Sequence, residues 1–251
     1  MNCVILQPSY IPWRGYFHQI WKADCFIFYD DVQFDTRGWR NRNQIKTPQG
    51  VKWLTIPVYK KGAQTEGTLI KDVRICPDTP WRDKHRLALE HSYSKAPFFS
   101  AYMPRLERFY EEQWEFLSEL TIEMTMILAS ELGIRSKRFL RSSSLQAKGN
   151  RTDRLLNLLK TVGATHYITG PSARSYLEEE KLWDAGISLE YMSYDYSEYT
   201  QLYPPFVGDV SILDLLFMKG PTALDYILSK PGPEWPAAAG HRTSQLIEVQ
   251  R

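Results

Sequence analysis

Three stretches of this sequence carry side chains whose types and spacing could do chemistry. The first is Gln7-Pro8-Ser9-Tyr10-Ile11-Pro12-Trp13-Arg14-Gly15-Tyr16, which follows the apolar run Val4 to Leu6. It reads as a strand-to-helix turn at the carboxyl edge of a parallel sheet. Ligands of open α/β proteins bind at that edge, where helix N-terminal amides favour anionic groups. Pro12 suits a first helical turn, which needs no N–H from it. We assign Gln7, Tyr10 and Trp13 to substrate contact, with the rings stacking on a base or sugar. Packing of the helix onto the sheet would use the same aromatics.

The second stretch is Asp30-Asp31-Val32-Gln33-Phe34, directly after the apolar segment Cys25 to Tyr29. Two carboxylates at a strand end can accept a proton, hold a ribose or coordinate Mg²⁺. Adjacent residues of an extended chain point opposite ways, so one of the pair is expected to face a site. A turn-forming aspartate pair is the structural alternative. Asp30 and Asp31 are candidate catalytic groups, and Gln33 a substrate contact. The third stretch runs from Arg37 to Lys46. Arg40, Arg42 and Lys46 suit phosphate or carboxylate, and Asn43 suits sugar or base edges. A solvated basic loop is the plain alternative, and a nucleic-acid version would add stacking on Trp39.

Further along, His85 and His91 lie six apart, so they do not share a helix face, and no partner completes a zinc spacing. Both are candidate general bases, and His85 joins the two aspartates as a catalytic candidate. No metal site is expected. Thr169-Gly170-Pro171-Ser172 forms a strand–glycine–helix junction, a second anion site unless Gly170 serves only the turn. Tyr199 and Gln201 belong to a polar aromatic stretch, Tyr191 to Tyr203, that can close over a ligand.

Several classes are excluded. The chain lacks G-x-S-x-G, Walker A, G-x-G-x-x-G and H-E-x-x-H, which argues against a serine hydrolase, P-loop NTPase, standard dinucleotide enzyme and zincin. Its 31 Lys+Arg nearly balance its 29 Asp+Glu, so it is no general electrostatic nucleic-acid binder. No apolar run reaches membrane-spanning length and no signal peptide opens the chain. Cys3, Cys25 and Cys76 read as free thiols in a reducing compartment, so a cytoplasmic location is expected.

The elements that must position these groups follow from periodicity. Strands are expected at 4–6, 25–29, 53–58, 73–75, 139–140, 166–169 and 187–192. Helices are expected at 13–22, from 152 to a stop at Gly163, at 172–183 and at 211–218, with a loop over 30–50. One long helix should cover Leu106 to Leu132, where apolar residues recur at a 3.6-residue period. The pattern predicts an α/β fold: a Rossmann-like, mostly parallel sheet flanked by helices, with a helical insertion at about 80–133. A single domain over 1–230 and a loose tail over 231–251 complete it.

Gln7-Pro8-x-Tyr10-x-Pro12-Trp13-x-Gly15-Tyr16-Phe17, Asp30-Asp31-Val32-Gln33-Phe34, Arg42-Asn43-x-Ile45-Lys46 and Trp53-Leu54-Thr55-x-Pro57-Val58 together resemble the WbqC-like family. Gly170-Pro171, Tyr199-x-Gln201 and Ser211-Ile212-x-Asp214-Leu215-Leu216 resemble its C-terminal part, so the likeness spans about residues 3–226. A departure is Leu6, where relatives often carry a histidine. The resemblance implies a role in O-antigen or other surface-polysaccharide or glycan biosynthesis. The implied reaction is transfer of a glycine-like aminoacyl or acyl group to a nucleotide-linked amino sugar, with an aminoacyl-tRNA among the conceivable donors. Arg40, Arg42 and Lys46 would then hold a diphosphate, Tyr10 or Trp13 stack on the base, and Asp30, Asp31 or His85 deprotonate the amine. By arrangement alone the first sixty residues are also similar to nucleotidyl transferases and ATP-dependent, carboxylate-activating ligases, which use ATP and Mg²⁺, although their H-x-G-H motif is missing. A non-catalytic nucleotide-sugar or RNA-binding module is the reading outside enzymes. All three require the turn after the first strand and the arginine-rich loop to converge on one cleft.

Overall fold

The computed structural model describes residues 1–59 and 67–228. Its elements run β1 (Asn2–Leu6), α1 (Arg14–Lys22), β2 (Cys25–Phe28), β3 (Arg42–Thr47), β4 (Gly50–Thr55), α2 (Trp81–Tyr93), α3 (Phe99–Glu111) and α4 (Leu117–Glu131). They continue with β5 (Arg138–Arg141), α5 (Ser142–Leu145), α6 (Arg151–Val162), β6 (His166–Thr169), α7 (Glu179–Asp184), β7 (Ser188–Tyr191) and α8 (Ile212–Lys219).

Five strands form one sheet in the order β5-β2-β1-β6-β7, parallel at every pairing. Helices cover both faces, so central strands are continuous apolar runs rather than alternating ones. All four residues of β2 are buried. Successive side chains still go to opposite faces. Val4, Phe26, Phe28 and Ile168 enter a core completed by α1, α2, α3, α4 and α8, whereas Cys3, Ile5, Cys25, Ile27 and Tyr167 enter one completed by α6 and α7. Phe17 and Ile20 seat α1 on the first core with no exposed surface, each worth about 1.5–3 kcal/mol. The fold is α/β and Rossmann-like. From β1 the order steps through β2 to β5, then resumes on the other side with β6 and β7. It therefore reverses between β1 and β6, and the carboxyl ends of those two strands flank a crevice.

The expected helical insertion is α2–α4, and its apolar faces complete the first core. The run expected to form one helix from Leu106 to Leu132 is broken into α3 and α4. Between them the backbone pairs with residues 73–75: Ile75 N–H donates to Glu115 C=O (2.9 Å) and Leu117 N–H to Val73 C=O (2.9 Å). The expected loop over 30–50 contains β3, which pairs antiparallel with β4, Arg42 opposite Thr55 through Thr47 opposite Gly50. The helix expected over 172–183 is a short 3₁₀ turn, Pro171–Ser175, followed by α7. Cys3 and Cys25 are buried neighbours across β1 and β2, and all three cysteines are free. Among the described residues, no helix is long and apolar enough to cross a membrane. The tail expected over 231–251 lies outside the described residues.

Candidate functional site

At the strand-order reversal lies a cleft of ≈ 420 Å³. Leu6, Ser9, Pro12 and Trp13 line it from the loop after β1, and Tyr16 and Gln19 from α1. Trp39, Arg40 and Asn43 come from the approach to β3, Gly170 to Ser172 from the end of β6, and Tyr194 and Asp209 from the C-terminal part. The β1 loop and the arginine-rich segment are laced together. Tyr10 N–H donates to Arg40 C=O (3.1 Å), and Arg40 Nη1 donates to Gln7 C=O (3.2 Å) and Ser9 Oγ (2.8 Å). Asn43 Nδ2 donates to the carbonyls of Tyr10 (3.2 Å) and Ile11 (2.9 Å). Those two bonds hold Ile11 at φ +36°, a conformation β-branched residues rarely adopt and one that costs on the order of 1–3 kcal/mol. The aromatic wall is equally constrained. Trp13 meets Tyr194 edge-on with ring centroids 5.0 Å apart, and a Cβ at residue 15 would lie 2.3 Å from its indole, so any larger residue there would displace the ring.

Arg40 is the one cation lining the cleft among the described residues. Burial lowers the pKa of its guanidinium, its Nε has no hydrogen-bond partner, and among the described residues no carboxylate lies within 4.0 Å of it. A half-buried cation without a salt bridge suits a ligand bearing phosphate or carboxylate. Gln19 Nε2 donates to Tyr194 Oη (2.9 Å), while its Oε1 has no partner. Asp209, exposed at the rim, is the one carboxylate lining the cleft among the described residues.

The model of the WbqC-like protein family matches residues 7–226, a stretch that holds every lining residue of this cleft but Leu6. The chain belongs to that family. It is also 43% identical over 228 residues to an uncharacterized protein of Mycobacterium tuberculosis (strain ATCC 25618 / H37Rv), a match covering 89% of this chain and 96% of the relative. No solved structure matches.

Of the residues expected to form the site, this WbqC-like chain brings Trp13, Arg40, Asn43 and Gly170 to the cleft, with Gln7 tied to the Arg40 guanidinium through its carbonyl. The others are elsewhere. Tyr10 is fully buried and its hydroxyl bonds His85 Nδ1 (2.9 Å) and Tyr110 Oη (3.1 Å), so its ring offers no face for stacking. His85 is buried with it, 2.9 Å from that hydroxyl, and burial pulls its pKa to about 4. It lines a different cavity, between β4 and α2.

Asp30 is wholly buried and clamped, accepting from Arg141 Nε (2.6 Å), Ser142 Oγ (3.1 Å), Ser143 N–H (3.0 Å) and Ser143 Oγ (2.9 Å). Asp31 pairs with Arg154 and accepts from Ser142 Oγ. The two carboxylates thus tie the end of β2 to the turn after β5 and to α6. Gln33 is exposed, its backbone bridged to Leu69. Arg42 donates to the carbonyls of Arg37 (2.6 Å) and Gly38 (3.3 Å) and lies 4.7 Å from the Trp53 ring centre, which commits it to its own loop. Lys46 is buried, its Nζ donating to Pro205 C=O.

Tyr199 and Gln201 serve a buried carboxylate instead of the cleft. Asp214 accepts from Tyr199 Oη (2.7 Å), Gln201 Nε2 (2.9 Å) and Tyr93 Oη (3.0 Å), and burial raises its pKa. The sequence did not assign Ser9, Gln19, Tyr194 or Asp209 to the site, and offered Trp39 only in the nucleic-acid alternative. Trp39 and Tyr194 sit inside stretches already marked by composition. Gln19 lies one turn after Tyr16 on α1, a spacing that puts both on one face, whereas nothing in the sequence marks Asp209.

Proposed function

We propose that the cleft binds a nucleotide-linked amino sugar and that the protein transfers an aminoacyl or acyl group to the amine of that sugar. The observation that carries this reading is the half-buried Arg40 guanidinium, with no carboxylate within 4.0 Å among the described residues, beside the Trp13–Tyr194 wall. A cation and an aromatic wall in one hollow suit a diphosphate joined to a flat base. The volume of ≈ 420 Å³ falls in the range of small-molecule sites, about 300–1,000 Å³. The glycine-like donor and the setting in surface-polysaccharide or glycan biosynthesis come from the family resemblance.

In the transfer, the sugar nitrogen attacks the acyl carbon, the C–N bond forms and the bond to the leaving group breaks. The proton lost by nitrogen needs an acceptor at the cleft. Asp30, Asp31 and His85 do not line it, so Asp209 takes the role of general base. Thermal-shift titration tests the binding step. UDP-glucosamine should raise the melting temperature, free glucosamine should not, and Arg40→Met should abolish most of the shift. An equal shift in Arg40→Met would overturn the assignment. A shift with ATP and Mg²⁺ but none with the nucleotide sugar would favour the ligase reading. Asp209→Asn should lower turnover with little change in affinity.

A further inference from the structure

A second cavity, of ≈ 520 Å³, lies apart from this cleft. It lies between the outer side of β4 and α2, with Lys52 and Trp53 on one wall and Trp81, Lys84, Leu87 and His91 on the other. Three features set it apart from an incidental groove. Its lining holds two lysines and no carboxylate, and among the described residues neither lysine has an ion-pair partner. Large apolar side chains are left open to it: Trp53 is 40% exposed and Leu87 43%. Finally, the buried indole N–H of Trp81, another lining residue, has no hydrogen-bond partner. Cations around an apolar floor suit a ligand with an apolar or flat body and phosphate groups.

The cavity also adjoins the cleft. Trp39, which lines the cleft, and Trp53, which lines the cavity, meet with ring centroids 4.9 Å apart, and the Arg42 guanidinium lies 4.7 Å from the Trp53 ring centre. A second link runs inside the wall. His85 on the cavity side bonds the hydroxyl of Tyr10 (2.9 Å), whose backbone N–H bonds Arg40 C=O (3.1 Å) on the cleft side. The hollows therefore share one partition, topped by an exposed pair of indoles.

We infer that this cavity is the donor subsite, holding the phosphate-bearing carrier of an activated acyl group whose acyl end crosses the Trp39–Trp53 pair into the cleft. This rests on the transferase reading. The chemistry balances without a redox step. The sugar nitrogen bonds the acyl carbon, and the C–S bond of a thioester or the C–O bond of an acyl adenylate breaks. The carrier departs with that electron pair, and the nitrogen's proton passes to a carboxylate.

Binding of two probes, coenzyme A and glycyl-sulfamoyl adenosine, to the full chain tests it by displacement of the fluorescent anion 8-anilinonaphthalene-1-sulfonate. One of them should displace the dye, and which one does so distinguishes thioester from adenylate. Lys84→Glu and Leu87→Asp change exposed side chains, so circular dichroism should report an intact fold, and each should weaken that probe at least tenfold. Arg40→Met should leave probe binding unchanged, and saturating UDP-glucosamine should not compete with it. Failure of both probes, undiminished binding in both cavity variants, or complete competition by UDP-glucosamine would each overturn the subsite. The transferase reading fails separately, on absence of any nucleotide-sugar shift, so the two outcomes are distinguishable.

Discussion

Two sets of arginines stand at the carboxyl edge of the same sheet, and they are used in opposite ways. After β2 and β5, Arg141 and Arg154 are each matched to a carboxylate, Asp30 and Asp31, with Ser142 and Ser143 filling the remaining acceptor positions. Beside the loop that follows β1, Arg40 is held by a carbonyl and a hydroxyl, with no carboxylate within 4.0 Å among the described residues. The first set is internally neutral and ties strand ends together. The second brings a cation with no salt bridge of its own to a cleft. Charge-bearing residues near a sheet edge thus say little alone; what marks a site is charge that the chain does not itself balance.

Perturbing the balanced set should have the largest effect. Asp30→Ala leaves the Arg141 Nε and Ser143 without their acceptor, and chemical denaturation should show a loss of about 3 kcal/mol or more. Residual nucleotide-sugar affinity should be normal once the folded fraction is counted; a stable variant that no longer binds would break the contrast.

Next is the uncharged case, His85, held near pKa 4 by burial against an ordinary value of 6.5. The unfolded chain then binds more protons than the folded one between those values. Stability from this group is complete above about pH 6.5 and falls as pH drops toward 4, by on the order of 3 kcal/mol. His85→Gln should flatten that part of the stability–pH curve without abolishing the slope, because burial also holds His18 at about 4.

Arg40→Met is expected to be the selective lesion. Fold stability should move by no more than about 1 kcal/mol, because two lost hydrogen bonds are offset by relief of a half-buried charge without a salt bridge, while ligand affinity falls by about 1.5–3 kcal/mol. Equal losses in both would erase the distinction between the two sets. The smallest effect should come from Arg42→Ala, at about 0.5–1 kcal/mol of stability from its contact with Trp53, with ligand affinity unchanged by calorimetry.

Much of the architecture was legible because it rests on burial. The apolar runs of β1, β2 and β6 announce strands covered on both faces, and the turn after β1 leading into α1 places the edge where the cleft opens. What was hidden depends on partners distant in sequence. Nothing local distinguishes Arg40 from Arg42, two residues apart, yet one lines the cleft and the other braces its own loop. Asp30 and Asp31 look poised for catalysis until Arg141 and Arg154 arrive more than 100 positions later. β3 escaped notice because Asn43 and Lys46 are buried through hydrogen bonds, a route that hydrophobic alternation does not register. The α3–α4 break escaped for a similar reason: its backbone is satisfied by residues 73–75.

Gly15 has a consequence for how selectivity in this cleft could drift. The Trp13 indole occupies the volume that any larger residue at position 15 would need. Adding one methyl group to the first turn of α1 would swing a bicyclic ring toward the opposite rim without altering any residue that touches a ligand. Aperture width is therefore encoded on the helix behind the wall, and substrate size could be retuned from a position outside the lining itself.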